Sequence, residues 1–135
     1  MIEIEKLREF FKKDRFAMGI GTVIEEVAPG RAVCSLTPTE QHLNAGDAVQ
    51  GGVIFTLADF AFALASNCEG EMTVSLENSI SFIAPPKGKI TATATVYKKT
   101  GKIAFCDVVV HDERERLVAK MSVCGYRKGI NLPIE

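Results

Sequence analysis

Among the residues whose chemistry could matter, one carboxylate stands apart. Asp59 is the only charge in the run Val53-Ile54-Phe55-Thr56-Leu57-Ala58-Asp59-Phe60-Ala61-Phe62-Ala63-Leu64-Ala65-Ser66. Burying an unpaired carboxylate costs several kcal/mol or forces its pKa upward. A chain that keeps Asp in such a place needs either a buried partner or a wet cleft. The partner would be a backbone group or a basic residue of another strand; the cleft would make Asp59 a base or nucleophile. Gln50-Gly51-Gly52 stands just ahead of this run. Two glycines at a helix start let a ligand approach the backbone closely. The free N–H groups there, with the helix dipole, favour an anion or a polarised carbonyl oxygen. That is the physics of an oxyanion hole. The plainer reading is a tight turn into the helix. The glycines lie seven to eight residues before Asp59, two helical turns, so all three can share similar faces. Asn44, in the loop before them, is a third candidate, although Asn in a loop commonly serves the turn itself.

These residues need elements to hold them. Ile4, Leu7, Phe10 and Phe11 are spaced as one face of an amphipathic helix over residues 3–15, which Met18-Gly19 ends. Residues 20–28 and 31–37 read as strands joined by the turn Pro29-Gly30, and so as a hairpin. Residues 38–50 form a polar loop of thirteen residues, a length often associated with function. Gly51-Gly52 opens a helix that runs to about Asn67. It is apolar nearly all round, so it must be covered on most sides. Met72, Val74, Leu76, Asn78, Ile80, Phe82 and Ala84 then alternate with polar residues, which predicts a strand whose inner face is broken only by Asn78. Further strands are predicted over 90–97, 103–111 and 117–126, joined by short charged turns as an antiparallel meander. One sheet curled around one helix, an α+β arrangement, covers both apolar surfaces.

Length and composition narrow the classes. At 135 residues the chain is one domain, 1–135, with the N-terminal helix inside residues 1–18. Its 47% hydrophobic content and net charge of −1 exclude disorder and argue against a general nucleic-acid binder. The run at 53–66 is fourteen residues long with a charge inside it, short of the roughly twenty apolar residues a membrane span needs. Cys34, Cys68, Cys106 and Cys124 show neither CxxC nor zinc spacing, and they read as reduced thiols in a cytosolic core. Residues 1–6 lack the apolar stretch of a secretory signal. The expectation is therefore a cytoplasmic protein without metal or cofactor.

Leu43-Asn44-Ala45-Gly46, Gln50-Gly51-Gly52 and Leu57-Ala58-Asp59, together with Asn78-Ser79-Ile80-Ser81-Phe82-Ile83-Ala84-Pro85, resemble the hotdog-fold acyl-CoA thioesterases of the phenylacetic-acid-degradation (PaaI) type. The similarity runs from about Gly19 to Tyr126. It implies a curled sheet around the helix at 52–67. It further implies subunits joined edge to edge through the strand at 72–84, active sites at the subunit interface, and a homodimer or dimer of dimers. The implied reaction is hydrolysis of an acyl- or aryl-CoA thioester. In that reaction Asp59 is nucleophile or general base, the Gly51 N–H holds the thioester carbonyl, and Asn44 orients the carbonyl or water. Gln50 stands where the family has His. It can donate a hydrogen bond but cannot carry a proton. Gly52 and Phe55 are expected at the substrate. Ser66, two turns beyond Asp59, is a candidate pocket hydroxyl, since Ala63 occupies the place of a hydroxyl found in some relatives.

Lys98, Lys99 and Lys102 cluster on one turn and could hold the phosphates of CoA, although a solvated turn explains them equally well. His42 and His111 are expected at the surface, and Phe60 and Phe62 in core or pocket lining. A hotdog protein that binds acyl-CoA without turnover is the alternative, for which Gln50 is the best support. A hotdog dehydratase or hydratase is disfavoured, because neither histidine lies on the helix or beside Gly51.

Overall fold

A computed structural model describes residues 1–134. Two short helices, α1 (Ile4–Phe11) and α2 (Arg15–Gly19), precede the hairpin β1 (Val23–Ala28) and β2 (Arg31–Leu36). A 3-10 turn at Glu40–His42 leads to the long helix α3 (Gly51–Asn67). Four strands follow: β3 (Glu71–Phe82), β4 (Ile90–Thr100), β5 (Ile103–His111) and β6 (Leu117–Asn131). All six strands form one antiparallel sheet in the order β1-β2-β4-β5-β6-β3, and α3 packs on its inner face. This is the curled sheet around one helix that the alternation predicts.

Three local expectations change. The single N-terminal helix is two, because the Asp14 carboxylate accepts the Ala17 N–H at 3.1 Å and caps a new helix. The first strand therefore starts at Val23, after Gly21 turns the chain at φ 94°. The strands after α3 are not a simple meander either. Only β4-β5-β6 is one, whereas β3 pairs with β6 at the far edge and β4 returns to pair with β2. The chain between β3 and β4 crosses that gap by bonding to what it passes. Ile83 and Ala84 donate to the Val118 carbonyl, and Lys87 donates to the Asp112 carboxylate.

The third change is in β3. Ser75 pairs with Gly125 and Glu77 with Cys124, so Leu76 is an extra residue, a β-bulge. The bulge reverses the alternation. Thr73 and Ser75 lie on the inner face before it, and Asn78 and Ile80 after it. Val74 and Leu76 are consequently exposed rather than inward. Gly125 of β6 faces the same way as Ser75. A Cβ there would stand 2.8 Å from the Phe62 ring, so the helix needs Gly at that crossing.

The core runs along α3. Leu57, Ala58, Ala61 and Leu64 are fully buried against Ala92, Ala94, Cys106, Val108 and Val110 of the sheet. Phe11 of α1 meets Phe60 edge-on, with ring centroids 5.7 Å apart. Coverage is incomplete on one stripe only. Gly52, Phe55, Thr56, Asp59 and Ala63 recur at helical spacing and are the α3 residues beyond its first that stay partly open. The lone carboxylate therefore lies on the single open face of a buried helix.

Candidate active site

The loop before α3 is built to deliver a helix start. Thr39 and His42 form a capping box around the 3-10 turn, with the His42 Nδ1 accepting the Thr39 N–H at 2.8 Å. Asn44 Oδ1 accepts from the N–H groups of Gly46 and Ala48 at 2.9 and 3.2 Å, closing a tight turn. Leu43 then bridges to Val49, and the Gln50 N–H reaches the His42 carbonyl at 2.9 Å. Gln50 is the N-cap of α3. Its Oε1 accepts the Gly52 N–H at 3.1 Å, and its carbonyl accepts the Val53 N–H at 3.0 Å.

That leaves the Gly51 N–H with no acceptor among the described residues. Gly51 itself lines a hollow of about 360 Å³, together with Val49, Ile54, Phe82, Ile83 and Pro85. A Cβ on Gly51 would stand 3.1 Å from the Phe82 ring. Glycine thus lets the amide and the aromatic wall approach each other. A donor at the positive end of a 17-residue helix, beside an apolar hollow, suits an acyl group whose carbonyl oxygen gains negative charge.

Asp59 sits two turns further along. Its Oδ1 accepts from Asn78 Nδ2 at 3.3 Å, and Asn78 Oδ1 accepts from the Ser75 hydroxyl at 2.7 Å. Burial pushes the Asp59 carboxyl up, the Asn78 bond pulls it down, and the charge of Asp14 at the start of α2 pushes it up again, for a net rise. A half-buried carboxylate with one long bond keeps most of its lone pairs for another partner. Neither Asn78 nor Ser75 was expected here from the sequence. Asn78 interrupts an otherwise apolar alternation and opens a segment of the resemblance, but neither gives it a role, and the bulge that brings Ser75 beside it leaves no trace in the pattern.

The other sequence candidates fall into place differently. Phe55 and Gly52 share the open stripe of α3 with Asp59. Ser66 is buried, and its hydroxyl donates to the Phe62 carbonyl at 2.8 Å, so it serves the helix rather than a pocket. Lys98 and Lys99 flank a hollow beside Glu69, where Lys99 Nζ lies 3.5 Å from the Glu69 carboxylate. Lys102 lines a separate hollow with Glu71 and Arg127. All three lysines are at the C-terminal end of α3, so one protomer does not bring them to Gly51. His42 is half-buried in its capping role rather than fully exposed. His111 is half-buried at the rim of the sheet beside Thr91. Burial pushes the Cys34 and Cys106 thiols up to about 12, which keeps them inert in the core. Among the described residues no cluster of His, Cys, Asp and Glu is arranged to hold a metal, and no helix is long and apolar enough to cross a membrane.

Comparison with known proteins gives a consistent picture. A family model described as the thioesterase superfamily matches residues 46–119, a span that contains both Gly51 and Asp59. The chain is 32% identical over 133 residues to a putative esterase of Archaeoglobus fulgidus, covering 96% of this chain and 86% of the relative. It is 31% identical over 121 residues to the acyl-coenzyme A thioesterase PaaI of Escherichia coli, covering 88% and 86%. The structure of the E. coli PaaI protein from the phenylacetic acid degradation operon superposes with a TM-score of 0.89 at 29% identity, covering 94% of each chain. A sheet curled around a helix whose open stripe carries Asp59, matched along nearly its whole length by these relatives, makes this chain a member of the thioesterase superfamily, a PaaI-type hotdog thioester hydrolase.

Proposed function

We propose that the protein hydrolyses an acyl- or aryl-CoA thioester to the free acid and CoA, using Asp59 as the attacking or proton-accepting group and the Gly51 N–H to polarise the carbonyl. The observation that carries this reading is the under-satisfied carboxylate on the one open stripe of α3. As a base, Asp59 takes a proton from water as that water adds to the carbonyl. As a nucleophile, it forms a mixed anhydride that water then cleaves. In both routes the C–S bond breaks and CoA leaves as its thiol.

The geometry of one helix supports a site shared between protomers. At 1.5 Å per residue, Gly51 and Asp59 are separated by about 12 Å along α3, too far for both to touch one carbonyl. In this reading Gly51 of one protomer works with Asp59 of its partner. The edge strand β3 supports that arrangement, since it exposes Val74 and Leu76 on its outer face and Phe82 next to Gly51. A homodimer or dimer of dimers would cover them. Gln50, with its oxygen committed to Gly52, offers only its Nε2 to the thioester, and Asn44 likewise offers only its Nδ2. Lys98, Lys99 and Lys102 are phosphate-binding candidates only for a CoA that lies across two protomers.

The test is CoA release from phenylacetyl-, benzoyl- and lauroyl-CoA by wild type and Asp59→Ala. Hydrolysis by wild type and a loss of at least about 10²-fold in the variant are expected. Equal rates would remove Asp59 from the mechanism. Tight binding without turnover across all three thioesters would identify an acyl-CoA-binding protein instead.

A further inference from the structure

Asp59 does not stand alone on α3: a side chain of β3 bonds to it. Asn78 Nδ2 donates to Asp59 Oδ1 at 3.3 Å, and the Ser75 hydroxyl donates to Asn78 Oδ1 at 2.7 Å. An amide has one donor end and one acceptor end. The Ser75 hydroxyl occupies the acceptor end, which turns the donor end toward the carboxylate. Serine, amide and carboxylate therefore form a directed chain that ends on one oxygen of Asp59, and among the described residues the other oxygen has no donor.

This chain exists because of the bulge at Leu76. Regular alternation from Thr73 and Ser75 would continue inward with Glu77 and turn Asn78 to the outer face. The extra residue moves Asn78 onto the inner face, opposite Val123, and keeps Ser75 on that face, opposite Gly125. A bulge that re-aims one side chain at a half-buried carboxylate is what a site with a single acidic group requires. In many enzymes an imidazole orients or relays for such a group, but here Gln50 stands at the helix start and His42 is engaged with Thr39.

We propose that Asn78 is a positioning residue of the hydrolysis: its amide holds Asp59 in one orientation and in its charged form, and Ser75 fixes which way that amide points. The proposal rests on the reading of Asp59 as the reacting carboxylate. Removing the amide leaves the carboxylate free to rotate and without its hydrogen-bond donor. The other charged group acting on Asp59 is Asp14 at the start of α2, which opposes the charged form. Loss of Asn78 thus exposes Asp59 to burial and to Asp14 with nothing to offset them.

The experiment compares wild type, Asn78→Leu, Asn78→Gln, Ser75→Ala and Asp59→Ala as full chains, with the best substrate among phenylacetyl-, benzoyl- and lauroyl-CoA. Asn78→Leu should lower kcat by about 10- to 100-fold with KM little changed. The acid limb of its kcat/KM profile should move to higher pH. Asn78→Gln should restore part of the rate and return the limb toward wild type. Ser75→Ala should shift both in the same direction by less, about two- to fivefold in kcat. A wild-type kcat and acid limb in Asn78→Leu would overturn the proposal, as would a change in KM or melting temperature alone. If Asn78→Leu does not fold, Ser75→Ala decides: an unmoved limb and rate overturn the proposal. Full activity in Asp59→Ala is a different result, because it removes the reading on which the proposal rests.

Discussion

Asp59 and Asp112 are both carboxylates that the fold draws out of water, and their surroundings treat them in opposite ways. Asp112, in the turn between β5 and β6, is only 5% exposed. It accepts N–H bonds from Lys87, Arg114 and Arg116 at 3.0, 3.0 and 3.1 Å. The Arg116 guanidinium adds two more, at 3.0 and 2.7 Å. Desolvation works against its charge, but the guanidinium and the three N–H groups outweigh that and hold the carboxyl well below the usual range. Asp59 has one donor, at 3.3 Å, and its carboxyl is raised. Burial is therefore no guide to function by itself. The informative quantity is how much of a carboxylate's bonding capacity the protein leaves unused. Asp112 spends all of its capacity pinning the β3–β4 crossover to the β5–β6 turn. Asp59 spends little, and what remains faces the open stripe.

Exchanging each carboxylate for its amide separates the two roles. The largest effect expected is on turnover. Asp59→Asn should reduce kcat by about 10²- to 10⁴-fold, whereas Asp112→Asn should leave kcat within a few-fold of wild type. Thiol release from the preferred acyl-CoA measures both. Comparable losses in the two variants would erase the distinction.

Stability should change in the reverse sense. Asp112→Asn should lower the melting temperature by several degrees at neutral pH, because the Arg116 guanidinium loses its charged partner. A carboxyl with a depressed folded-state pKa stabilises the fold above its unfolded pKa, and that stability fades as pH falls toward the folded value. The gap between wild type and Asp112→Asn should therefore begin to narrow only below about pH 4 and go on shrinking as pH falls toward the folded value. For Asp59 the sign is opposite. A raised folded-state pKa favours the protonated form, so the stabilising contribution is present at low pH and lost as pH rises through the folded value. Asp59→Asn should then melt about 1–3 °C higher than wild type at neutral pH, with no gain at pH 3. Differential scanning calorimetry across pH 3–8 tests both signs together.

The smallest effect concerns the other half of the site. Gln50→Ala removes the side-chain acceptor of the Gly52 N–H and should cost about 0.5–1 kcal/mol, read as a small drop in the urea midpoint. An unchanged midpoint would mean that water replaces the cap.

Much of this molecule is legible before any coordinates. The period of two in the later strands and the all-round apolar helix point to a sheet wrapped on a helix, because that is the economical way to cover both surfaces. A charge inside that helix and a glycine pair at its start make Asp59 and Gly51 candidates by chemistry alone, each beside a plainer structural reading. The resemblance carried by those motifs adds the reaction class. The sequence also hides several things. The pattern of β3 puts Val74, Leu76 and Asn78 on one inner face, yet a single extra residue turns the first two out while Asn78 stays in, since parity along a strand propagates from one irregularity. Ser66 reads as a hydroxyl available to a pocket, but within a helix its oxygen finds the Phe62 carbonyl first. Asp112 reads as one charge in a charged turn, and only the crossover passing beside it makes it a structural anchor. Residue types and periodicity determine which elements form and which faces are apolar, because those depend on near neighbours along the chain. Register, crossover and the aim of a side chain across strands depend on contacts between distant residues, and only the tertiary structure decides them.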